Sequence, residues 1–153
     1  MDSTLGTMAS AKDFFNSEQQ EDIKMAVKHA ELDTSGEIRV HIEQNCSGEV
    51  MDRAAVVFSK LGMQKTALRN GVLFYLAIQN RRFAILGDAG INAKVPDNFW
   101  DDIKLQMLHH FRQNEFVEGL CEGIKVAGEQ LKAHFPYQIN DKNELSDEIS
   151  FGN

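Results

Sequence analysis

The sequence is poor in the features that usually announce a class. It holds two cysteines and two prolines in 153 residues. Cys46 and Cys121 cannot make a disulfide scaffold, so free thiols in a reducing cytoplasm are the expectation. No apolar run approaches the ~20 residues that cross a bilayer; the longest is VLFYLAI at 72–78. The opening MDSTLGTMASAKDFF has neither a basic stretch nor an apolar core, so no secretory signal is read. Basic residues are the scarcer sign, 16 against 23 acids, a net charge of −7. That deficit argues against nucleic-acid phosphates and anionic membrane surfaces as partners. Neither GxxxxGK[ST] nor GxGxxG occurs, so no glycine-rich phosphate cradle is present.

What is there suits one globular domain: 42% of residues are apolar and 25% charged. Residues 1–13 read as a flexible leader, 14–136 as the domain and 137–153 as an acidic flexible tail. Four acids against Lys142 give the tail a net of −3.

Periodicity places the elements. Ser17 followed by Gln20 reads as a capping box, and Ile23, Val27 and Ala30 follow at helical spacing. EIRVHIE (37–43) alternates strictly, with Ile38, Val40 and Ile42 on one face and Glu37, Arg39, His41 and Glu43 on the other. A helix is predicted over 49–61, with Gly62 just past its end. VLFYLAI is apolar throughout, as in a central strand covered on both faces. Gln79-Asn80-Arg81 turns the chain into RFAILG (82–87), a hairpin. Residues 88–98 read as a loop, and helices are predicted over 98–112 and 115–134. Gly119, Gly123 and Gly128 inside the last helix predict close approach to a neighbour, since glycine costs ~1 kcal/mol there. The expected fold is an α/β/α sandwich with a small mixed β-sheet, a parallel βαβ unit plus an antiparallel hairpin strand.

Strand direction then decides which residues meet. Parallel strands that begin near Glu37 and Asn70, and an antiparallel strand that ends near Asp88, bring all three to one end of the sheet. The 88–98 loop leaves from that end and delivers Asp97, Asp101 and Asp102 to the next helix. Oxygen ligands gathered in this way suit a divalent cation, calcium foremost, which takes about 6 to 8 of them. The candidate metal ligands are therefore Asp88, Asp97, Glu37, Asn70 and Asp101. The same residues also suit plain structural roles: Asp97 as a helix cap, Asp101 and Asp102 against the helix dipole, Asp88 in a turn. The spacing matches no linear calcium motif.

Other chemistry is thinner. His109 and His110 are adjacent on a helix, pointing ~100° apart, which disfavours a shared zinc. Cys46 has no CxxC partner. His41 is expected in cross-strand pairing. Arg81-Arg82 sits at the opposite end of the sheet from the acids, where it could hold a phosphate or a carboxylate.

SGEIRVHIE (35–43), RNGVLFYLAIQNRRFAILGDAGINAKVP (69–96) and FRQNEFVEGLCEGI (111–124) resemble the TPM domain family, over about residues 14–136. That family includes a thylakoid-lumen protein described as an acid phosphatase, a photosystem II repair protein and a nematode modulator of acetylcholine receptors. The resemblance implies an α/β/α sandwich and, from some members, metal binding, notably of calcium, at acids by the loop after the hairpin. It matches Glu37, Asn70, Gly90 and Pro96-Asp97 to the family's pattern; Asp88 stands where other members often differ. Most relatives carry a signal segment and a membrane helix, so this chain reads as a stand-alone soluble version, cytoplasmic and monomeric. Three functions are expected to compete. One is divalent-cation binding, another is metal-assisted phosphomonoester hydrolysis by resemblance alone, and the third is a non-catalytic module docking an unidentified protein.

Overall fold

The computed structural model describes residues 10–138 and 143–152. Residues 1–9 of the expected leader, and 139–142 and 153 of the expected tail, lie outside the described residues. The elements run α1 (Ala11–Phe14), α2 (Ser17–Asp33), β1 (Glu37–Glu43), α3 (Val50–Lys60), a 3₁₀ turn (Met63–Lys65), β2 (Gly71–Ala77), β3 (Arg82–Gly87), α4 (Ala89–Asn92), α5 (Asp101–Arg112), α6 (Phe116–Leu131) and β4 (Ser150–Phe151). The sheet order is β3-β2-β1-β4. β1 pairs parallel with β2 from Glu37↔Gly71 to Glu43↔Ala77, and β2 pairs antiparallel with β3 from Val72↔Gly87. This is the predicted mixed sheet, with helices on both faces.

Each face has its own core. Ile38, Val40 and Ile42 of β1 join Val72, Phe74 and Leu76 of β2 under α2, α5 and α6. Leu73, Tyr75 and Ala77 point the other way, onto Ala54, Val57 and Phe58 of α3. β2 is buried at every position, which is why it carries no polar alternation. The glycines of α6 do permit close packing. A Cβ on Gly123 would lie 2.5 Å from Met107 Sδ of α5, and one on Gly128 would lie 2.8 Å from Ala30 Cβ of α2.

Several local expectations are corrected. Asn16, not Ser17, caps α2: Asn16 Oδ1 accepts from Gln19 N at 2.8 Å and Gln19 Oε1 accepts from Asn16 N at 2.9 Å. Asparagine caps as well as serine, so the box starts one residue earlier. Gln20 instead donates to the Lys12 and Phe15 carbonyls. Residues 88–98 are not all loop, because Asp88 caps the short α4. α5 starts at Asp101 with Trp100 before it, so Asp97 does not cap it.

The largest departure concerns the tail. Residues 143–152 pack on the domain rather than standing free. His41↔Ser150 and Ile42↔Phe151 add a parallel fourth strand to β1. Leu145 packs into the core on the α3 side, and Ile149 and Phe151 into the other. Three tail acids bond within the domain: Glu144 to the Ala67 amide, Asp147 to Glu31, and Glu148 to Lys24.

Candidate functional site

The polar face of β1 is buried, not solvated. Glu43 is fully buried. Its carboxylate accepts two bonds from Arg53, at 2.7 and 2.8 Å, one from Tyr75 Oη, and one contact from His41 Nε2 at 3.1 Å. Burial alone would raise its pKa, but the bonds from Arg53, Tyr75 and His41 outweigh it and hold the carboxyl down to about 2. Burial also lowers His41, against the pull of Glu43. Its Nδ1 lies 2.9 Å from Ser150 Oγ. Gly152 then passes directly over Glu43, where a Cβ would sit 2.5 Å from Oε1. The network ties α3, the sheet and β4 together.

The other polar cluster lies at the amino ends of β1 and β2, the end singled out from the sequence. Register does bring Glu37, Asn70 and Asp88 there: Glu37 N donates to Asn70 O, and Asp88 N to Gly71 O. Their side chains have separate employments. Asp88 receives Arg69 Nε and Nη2, both at 2.7 Å, and the Ala89 amide. Burial would raise the Asp88 pKa, but the guanidinium and that amide lower it. Asn70 Nδ2 donates to Ser35 O at 2.9 Å, while its buried Oδ1 has no partner among the described residues. Glu37 Oε1 accepts the Glu144 and Leu145 amides, both at 3.1 Å. Asp97 and Asp101 are exposed on the turn before α5 and its first residue. Among the described residues, no group of three or more His, Cys, Asp or Glu side chains is arranged to hold a metal ion. The five expected ligands therefore do not form a cation cage as they stand.

Gly90 keeps this corner tight. A Cβ there would lie 2.1 Å from Leu68 O and 2.6 Å from Arg69 O, and its amide donates to Arg69 O at 2.8 Å.

A cavity of about 300 Å³ opens beside Glu37. Three segments wall it: Lys28 and Glu31 from α2, Ser35 to Glu37 from the start of β1, and Asn143 and Asp147 from the tail. Glu31 Oε2 accepts the Ile38 amide at 3.1 Å. Burial, then a hydrogen bond with Asp147, push the Glu31 pKa up to about 10, so Glu31 holds a proton at neutral pH. Burial likewise raises Glu37 against the amides it accepts, with Glu144 and Asp147 adding to the rise. Asn143 Nδ2 donates to Asp147 Oδ1 at 3.0 Å.

Glu31 and Asp147 are absent from the expected ligand set, yet both carry a signal. Ile23, Val27 and Glu31 share one helical stripe, four residues apart, so Glu31 faces the core. Asp147 lies between Leu145 and Ile149, apolar residues in an otherwise polar tail, so it rides a segment with apolar anchors. The remaining candidates have partners: His110 Nδ1 meets Glu115 at 2.9 Å, and His109 Nε2 meets Gln113 at 2.9 Å. Both cysteines are free thiols, and burial raises Cys121 to about 11. No helix of the described residues is long and apolar enough to cross a membrane.

Comparison with known proteins settles the family. The BA42 protein of the psychrophilic bacterium Bizionia argentinensis, solved by NMR, is 43% identical. The match covers 95% of this chain and all of that one, with a TM-score of 0.88. The N-terminal domain of a P. gingivalis protein aligns at 22% identity over 79% of this chain and 78% of that one, TM-score 0.65. The N-terminal domain of cg2496 from Corynebacterium glutamicum aligns at 11% identity over 97% and 91%, TM-score 0.63. These last two share the fold. No curated protein matches the chain. The family model described as TPM domain matches residues 9–130, and the chain belongs to the TPM domain family.

Proposed function

We propose that this TPM domain binds a divalent cation, calcium foremost, in the cavity walled by Glu31, Glu37 and Asp147. One observation carries the reading: carboxyls from three separate segments, Glu31, Glu37 and Asp147, line one cavity, and burial raises the pKa of both Glu31 and Glu37. Carboxyls forced together hold a proton or a cation, because the bare charges repel. Calcium accepts irregular oxygen sets, backbone carbonyls and water included; binding it requires Glu31 and Asp147 to turn toward Glu37, since as they stand no three acids among the described residues hold an ion. Of the residues singled out from the sequence, Glu37 stays in the set, and Asn70 supports the Ser35 carbonyl beside it. Asp88 keeps its place on Arg69. Lys28 also lines the cavity and is the natural competitor for its charge.

The reading stops at binding. Thr34, the threonine at the cavity, donates its hydroxyl to Phe135 O and accepts the Gly36 amide, so it is committed to backbone. A cation here would tie the tail to α2 and β1, and stabilise the fold by mass action. Excess calcium should therefore raise the thermal midpoint of the native chain, and raise it far less in Glu31→Gln/Asp147→Asn. Equal shifts in both proteins would place the ion elsewhere; no shift with calcium, magnesium or zinc would end the proposal.

A further inference from the structure

The Arg81 corner holds a second cavity, at the opposite end of the sheet. It measures about 150 Å³ and is walled by Leu76, Phe83, Leu108, Phe111 and Phe116. Phe83 meets Phe111 edge to face with centroids 5.0 Å apart, and Phe111 stacks on Phe116 at 5.5 Å. Arg81 and Arg112 also line it, and both are exposed, so they mark its open side. Two turns meet here, the β2–β3 hairpin and the α5–α6 connection. Arg81 Nη1 donates to Asn114 Oδ1 at 3.2 Å across them.

Three features point to one kind of occupant. The size fits a single ring, since an apolar cavity of about 150 Å³ accepts benzene. The rim is positive: neither guanidinium forms an ion pair among the described residues, in a chain with 23 acids for 16 bases. The place is the carboxyl end of the parallel strands, where open α/β sheets bind ligands. We propose that this cavity binds a small aryl carboxylate, its ring among Phe83, Phe111 and Phe116 and its carboxylate against Arg81 and Arg112. Guanidinium forks match a carboxylate in geometry as well as charge. Nothing in this site depends on the cation cavity.

Phenylacetate tests it, titrated into the isotope-labelled native chain and followed by amide chemical shifts. Saturable shifts should cluster at Leu76, Phe83, Leu108 and Phe111. Arg81→Gln/Arg112→Gln, at exposed positions, should weaken binding roughly tenfold or more. Leu108→Trp, which fills the cavity and keeps both charges, should abolish it. Acetate, a head without a ring, and benzyl alcohol, a ring without a charge, should each bind much more weakly. Shifts that scatter over the surface or fail to saturate would overturn the assignment. So would an unchanged affinity in the double variant, or acetate or benzyl alcohol matching phenylacetate.

Discussion

Glu43→Gln offers the sharpest test of how the fold is held together. The substitution keeps shape and volume but removes the charge that Arg53, Tyr75 and His41 converge on. It also turns one acceptor into an amide facing the Arg53 donors. Holding the carboxyl at about 2 instead of its ordinary 4.5 is worth about 3 kcal/mol at neutral pH, at ~1.4 kcal/mol per unit. Domains of this kind have only about 5–15 kcal/mol in all. The sign follows from the lowered pKa: the contribution is present above pH 4.5 and is lost as pH falls through about 2. Urea denaturation of both proteins at pH 7 and pH 3 reads the double difference, in which titrating groups away from Glu43 cancel and the coupled His41 is read together with it. We expect a cost of about 3 kcal/mol at pH 7 and less than half of that at pH 3. A cost that does not change with pH, or one under about 0.5 kcal/mol at pH 7, would refute the linkage.

Three further outcomes follow from the packing. Gly90→Ala should cost about 3 kcal/mol, because its Cβ would meet the Leu68 and Arg69 carbonyl oxygens at 2.1 and 2.6 Å. The thermal midpoint should fall by roughly 6–12 °C, while Gly36→Ala, whose nearest neighbours are 3.5 Å away, should barely move it. Removing 143–153 strips β4 from β1 and takes away Leu145, Ile149 and Phe151, exposing the core surface they cover, for a loss of about 2–3 kcal/mol in urea; a loss near zero would mean that the tail stands free. Gly62, at φ +69 after α3, should cost about 1–2 kcal/mol on mutation to alanine and less on mutation to asparagine, which tolerates that region. Differential scanning calorimetry of the two variants checks the order.

Much of the architecture was legible because it is written in periodicity. The alternation of EIRVHIE, the apolar run at 72–78 and the glycines of α6 each have one structural solution, and each was found. Shared ends followed from strand direction alone, which put Glu37, Asn70 and Asp88 together. β4 was illegible for a physical reason: two paired residues have no period, and the acids around them read as solvated. Once the tail was taken as free, Asp147 could not be seen facing Glu31. Asp97 and Asp101 stand apart from the other three for the converse reason. Their acidity and place in the chain were correct, but the turn at 97–100 leaves them in solvent. The buried face of β1 shows the limit of alternation, which separates polar from apolar faces without saying which is covered. Arg53, thirteen residues on from Val40, supplies the charge that lets Glu43 be covered.

The central claim is that a cation can take the place of the proton that Glu31 holds at neutral pH. Calcium titration by calorimetry at pH 7, repeated in two buffers of different ionisation enthalpy, tests it most directly. The account predicts saturable heat that differs between the buffers by about one proton released per calcium bound. Absence of heat, or heat that is the same in both buffers, would contradict it.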